Sequence, residues 1–140
     1  MRYMMIVSGP ENLAASGPPP AELIEEIGKQ IGEAMQSGKI ISFGGLHPTS
    51  TGARLHIKDG ELFTTDGPFT ESKEVIGGYS VYNVASKEEA MQIARENMEL
   101  HQRYWPKWEG TIELRRMYEE ADDVRETQIE GSRVHENASN

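Results

Sequence analysis

Asp66, His47 and His101 are the residues of this chain best suited to moving a proton. Asp66 stands in the string TTDGPFTESKE, after the β-branched Thr64 and Thr65 and before Gly67-Pro68. A carboxylate there has two possible uses. It can accept hydrogen bonds from turn amides, or act as a base or ligand anchor at a pocket mouth. His47 follows Gly44-Gly45-Leu46 and precedes Pro48. His101 shares a helical apolar face with Ala94 and Met98. It is there either a satisfied structural residue or a base, since imidazole titrates near neutral pH. His56 alternates with Leu55 and Ile57 and reads as solvent-facing, and His135 has no assigned role.

A second group could hold a ligand: Phe69, Glu71, Lys73, Tyr79, Trp105 and Arg116. Phe69 is either a plug into the core or an exposed platform. Glu71 and Lys73, with Glu74, read as a solvated charge cluster of little energetic weight, or as groups tucked under the loop to pin it or touch a ligand. Trp105 and its neighbour Trp108 can wall a pocket, or serve core or interface. Arg116 follows Ile112 and Leu114 on one strand face, where it can aim a fork at an anion or pair with a partner's carboxylate. The loop that carries Phe69 is entered through Gly-Pro and left through Gly77-Gly78. At about ten residues it exceeds a bare hairpin connection.

Several chemistries are ruled out or disfavoured. With no cysteine, disulfides, thiolate catalysis and zinc-thiolate sites are absent. The histidines lack the i, i+4 spacing of a helical metal site, and no cofactor is expected. No nucleophile elbow, phosphate loop or dinucleotide fingerprint occurs. Of the net charge of −9, residues 119–140 contribute −5, from seven acids and two arginines, leaving −4 for residues 1–118. Neither part offers a basic stripe, which disfavours nucleic acids and anionic membranes. No run reaches the length of a membrane span, and the short apolar start MRYMMIV does not read as a signal peptide, so a cytoplasmic location is expected.

The elements that must position these residues follow from periodicity. Arg2 to Ser8 reads as a buried strand. After a Gly- and Pro-rich loop, Leu23, Ile24, Ile27, Ile31, Ala34 and Met35 share one helical face, and Gly38 is placed to end that helix. Lys39 to Leu46 is a second strand, broken at Gly44-Gly45. Ala53 to Lys58 and Glu61 to Thr65 flank Asp59-Gly60, a two-residue hairpin signal. Residues 77–84 form the next strand. Ser86 and Glu89 make a capping box for a helix that Pro106 ends near Tyr104. Thr111 to Tyr118 is the last strand. The order indicates an α+β, ferredoxin-like βαββαβ fold with an inserted β-hairpin and an antiparallel sheet over residues 1–118. Helices cover one sheet face, and a second subunit is the economical cover for the other. The acidic tail, residues 119–140, is expected to dock through Val124, Ile129 and Val134.

The string TDGPFTESKEVIGGY resembles the YCII-related family in its DGPF-type branch. RYMMIV, GLHPTSTGARL and MELHQRYWPKWEGTIELR fit the same family, in the right order over residues 1–118. The resemblance implies a dimeric α/β barrel, with two ferredoxin-like subunits facing each other through their sheets. Some members are encoded beside, or fused to, bacterial sigma factors. Another branch carries a His–Asp pair on the two helices. Here the first helix has no histidine and the end of the second has no aspartate, so that dyad does not carry over.

Two functions fit these residues. The first is a homodimeric module that binds or senses an unknown small molecule near the TDGPF loop. The second is a metal-independent enzyme, isomerase-, lyase- or dehydrochlorinase-like, using Asp66 with His47 or His101. The enzyme requires Asp66 and a histidine to converge on one pocket; the binding module requires only the pocket.

Overall fold

The computed structural model describes residues 1–69 and 72–119. The chain forms β1 (Arg2–Gly9), α1 (Ala21–Gln36), β2 (Ile40–Gly45), a 3₁₀ turn (Thr49–Thr51), β3 (Ala53–Lys58), β4 (Glu61–Asp66), β5 (Val75–Asn83), α2 (Lys87–Tyr104) and β6 (Thr111–Arg116). The main sheet is antiparallel in the order β2-β5-β1-β6, and β3 and β4 form a separate two-stranded ladder. Without that hairpin the order is the ferredoxin-like one the periodicity indicates.

Alternation along the strands decides where the core sits. Tyr3, Met5, Ile40 and Tyr82 are buried and pack with Val84, and with Ala90 and Ala94 of α2. Ile31 and Ala34 of α1 pack against the same cluster. The apolar stripe of α1 is narrower than the sequence implies. Leu23 is 1% exposed, whereas Ile24 and Met35 are 60% and 58% exposed. Those two lie at the margins of the stripe, beyond the reach of the sheet. On the sheet face away from the core, β1 places Met4 and Ile6 beside Val81 and Tyr79 of β5.

The helix ends are made as their residues predict. Gly38 takes φ +74°, and its N–H and that of Lys39 donate to the carbonyls of Met35 and Ala34, ending α1 in a Schellman turn. At the start of α2, the Ser86 hydroxyl accepts from the Glu89 amide (3.2 Å), and the Glu89 carboxylate accepts from the Ala85 amide (2.8 Å). That amide, and after it Lys39 (3.0 Å), hold the Glu89 carboxyl below its usual range. A carboxyl depressed by folding stabilises above its unfolded value and loses that contribution as pH falls through the folded one. Glu89→Gln should therefore flatten the acid limb of the melting profile, recorded from neutral pH down through the carboxylate range. An unchanged limb would show that the cap does not hold in solution.

The loop after β4 is shorter than the sequence implies. β5 begins at Val75, so Gly77-Gly78 lies inside the strand and the connection spans residues 67–74. The register explains the glycines. Val7 faces Gly78 while Ser8 faces Ile76, which leaves Gly77 as the extra residue of a bulge. The last strand likewise stops at Arg116, short of Tyr118.

In the hairpin, Asp59 and Gly60 take φ 52° and 78°, as a two-residue turn matched to strand twist requires. Both its strands are exposed throughout. Ile57 lies opposite Leu62, and with Leu55 these side chains are 66–76% exposed. Of the tail, only Glu119 is described; it pairs with Arg2 (3.8 Å). The docking expected of Val124, Ile129 and Val134 lies outside the described residues.

Candidate ligand-binding cleft

β1 ends at Gly9, β2 at Gly45 and α2 at Tyr104, and the segments leaving these ends enclose a cleft of about 400 Å³. Glu11, His47, His101, Trp105 and Trp108 all line it. Two of the three proton-moving candidates, His47 and His101, thus share one space.

The wall is aromatic because of how α2 stops. Past Tyr104 the Trp108 amide donates to the Trp105 carbonyl (3.0 Å), a tight turn that brings the two indoles face to face. Their centroids are 5.6 Å apart at 15°, and the His101 ring lies 4.6 Å from that of Trp108. Glycines make the room. A Cβ on Gly110 would come within 2.1 Å of the Trp108 ring, and one on Gly9 within 3.0 Å. Trp105 is buried and its indole N–H donates to the Ser16 carbonyl (2.9 Å), which ties the β1–α1 loop to the end of α2. His101 Nδ1 lies 2.9 Å from the Asn97 carbonyl oxygen. A carbonyl only accepts, so Nδ1 carries the hydrogen, and in the neutral ring Nε2 keeps its lone pair.

A chain of hydrogen bonds links the cleft to the loop containing Phe69. The Glu11 carboxylate accepts from the backbone amide of Thr49 and from its hydroxyl, the latter at 2.7 Å. The same hydroxyl oxygen accepts from the Phe69 amide (3.1 Å). One step away, the Gly67 amide donates to the Gly52 carbonyl (2.9 Å). Phe69 is buried, with the Arg54 guanidinium 3.8 Å above its ring centroid. It plugs the base of the hairpin, apart from the main core cluster.

The remaining candidates divide as follows. Asp66 is exposed at the end of β4, opposite Ala53, and does not line the cleft of the two histidines. Phe69 and Lys73 border an adjoining cavity of about 620 Å³, which shares Pro10, Glu11 and Pro48 with the first. Tyr79 packs its ring on Gly44, where a Cβ would meet it at 3.1 Å, and Arg116 is exposed on β6; neither borders the two cavities. Glu71 lies outside the described residues. Glu11 and Thr49 were not singled out by sequence. A lone acid after Gly-Pro and a threonine after Pro48 carry no spacing signal, because their partner is distant in the chain. Among the described residues no cluster of metal-ligating side chains occurs, and no helix is long and apolar enough to cross a membrane.

A model of the YCII-related domain matches residues 1–103, which include β1 through most of α2 and both histidines of the cleft. The chain belongs to the YCII-related family. It is also similar to an uncharacterised protein of Rhizobium meliloti (strain 1021), 37% identical over 62 residues. That match covers 44% of this chain and 50% of the relative, so the chain spans about half the length of the curated relative it matches. The aromatic half of the cleft, Trp105 and Trp108, lies just past the matched YCII-related segment.

Proposed function

We propose that this YCII-related protein binds a small organic molecule in the cleft of His47, His101, Trp105 and Trp108, and works as a homodimer. The observation that carries the reading is that cleft. Two histidines and both tryptophans of the chain line one space of about 400 Å³, within the range of small-molecule sites. The TDGPF loop supports the site from behind through Thr49 and Glu11. The DGPF string at 66–69 favours the DGPF-type branch of the family. The face carrying Met4, Ile6 and Tyr79, each partly exposed, favours pairing with a second copy.

A native mass spectrum of the purified protein tests both parts. The expected spectrum shows two chains with retained small molecule. His47→Ala, a change at an exposed residue, should lose the ligand without loss of stability, and Asp66→Asn should keep it. Equal retention by the His47→Ala protein would end the case for this cleft, and a mass of one chain would end the case for the dimer.

A metal-independent acid–base enzyme is the second reading. It is favoured by His101, whose Nδ1 is held by Asn97 and whose Nε2 remains to take a proton in the cleft it shares with His47. It predicts turnover that falls with His101→Gln while binding persists.

A further inference from the structure

Resting on the reading of this cleft as a ligand site, we infer that its ligand is a small, flat apolar molecule carrying a protonated amine, not a carboxylate or phosphate. Charge comes first. Among the described residues that line the cleft there is no lysine or arginine, and the only carboxylate is that of Glu11. Its carboxylate is fixed by the Thr49 amide and hydroxyl. Two donors do not exhaust the roughly four acceptor positions of a carboxylate, so capacity remains for a ligand.

Several donors that an anion would need are already engaged; the ring N–H of His47 is not one of them. The Trp105 indole N–H is spent on Ser16, His101 Nδ1–H on Asn97, the Thr49 amide on Glu11, and the Leu46 amide on Gly77. In its neutral form the His101 ring offers the cleft an acceptor, Nε2. The indoles of Trp105 and Trp108, which line the cleft, add apolar aromatic surface whose π-electron density attracts cations. At longer range, the chain's net charge of −9 draws cations and repels anions. A volume of about 400 Å³ suits a body of one or two rings.

The chain has only two tryptophans and both line the cleft, so tryptophan emission reports on the cleft and, through Trp108, on the neighbouring cavity lined by Arg95 and Gln102. Three probes share the benzyl body and differ in the polar head and its charge: phenethylamine, 2-phenylethanol and phenylacetate. Titrated into the full chain with excitation at the red edge of indole absorption, phenethylamine should bind about tenfold or more tighter than phenylacetate, a gap of ~1.4 kcal/mol or more. In the Glu11→Gln protein that preference should fall to about twofold or less, roughly 0.4 kcal/mol. Phenylacetate binding as tightly as phenethylamine, or a preference unchanged by Glu11→Gln, would overturn the amine while leaving the cleft as a ligand site. If none of the three perturbs the emission, the ligand-site reading falls and the inference with it. Should Glu11→Gln disturb the fold, the ratio of affinities in the parent protein decides alone.

Discussion

Gly67→Ala should unseat the loop containing Phe69 and remove more than about 4 kcal/mol of stability, a size that marks a specific structural defect. A Cβ at this position would lie 1.6 Å from the Thr49 carbonyl oxygen and 2.6 Å from its carbon. Both are backbone atoms, so no side-chain rotation relieves the overlap. The 3₁₀ turn and the loop have to part. With them go the bonds from the Gly67 amide to Gly52 and from the Phe69 amide to Thr49. Phe69→Ala supplies the reference. It removes a buried ring without a collision and should cost about 3–5 kcal/mol. Urea unfolding measures both. A Gly67→Ala protein within about 0.5 kcal/mol of the parent, the size of a surface substitution, would show that the loop is not seated on Thr49.

Gly110→Ala should empty the cleft of its aromatic wall. The added methyl would sit 2.1 Å from the Trp108 ring and 2.7 Å from the Ser8 carbonyl oxygen. The ring is the softer neighbour and has to swing out of its present place, while the Ser8 carbonyl, a backbone group next to the Ser8–Thr111 pair, has to shift as well. Overpacking of this kind costs typically 1–3 kcal/mol, which should leave the protein folded. The expected signature is a shifted tryptophan emission with binding of aromatic probes weakened at least tenfold, ~1.4 kcal/mol. Parent-like emission and binding would place Trp108 elsewhere in solution.

The fold was legible because each element carries its own local signal. The stripe through Leu23, Ile27 and Ile31, the Ser86–Glu89 box, the Asp59-Gly60 turn and the stop at Pro106 each act within a few residues. Strand ends were less so. Gly77-Gly78 resembles a loop exit, yet the pair sits inside β5, because a bulge forms only against the register of β1, a distant strand. The site was legible in its aromatic and histidine members, whose side chains advertise chemistry. Its carboxylate was not. Asp66 stood beside Gly-Pro and attracted the role, whereas Glu11 lines the cleft, 38 residues from the threonine that orients it. A contact across that separation leaves no mark in a single sequence, since neither residue is unusual among its neighbours.

The β3–β4 hairpin has a consequence for local dynamics. Its two strands bond only to each other in their sheet, while its base is fastened where Gly67 meets Gly52 and where Arg54 covers Phe69 and donates to Ser72 (3.1 Å). A lone two-stranded ladder is marginal in water. Its amide hydrogens should therefore exchange with solvent by a local opening that starts at Asp59-Gly60 and runs towards the anchored end. Amides of β1, bonded on both sides by β5 and β6, must wait for the whole sheet to open. The hairpin is in this sense a hinged flap on a rigid frame, and its protection pattern reports directly on anything that comes to cover it.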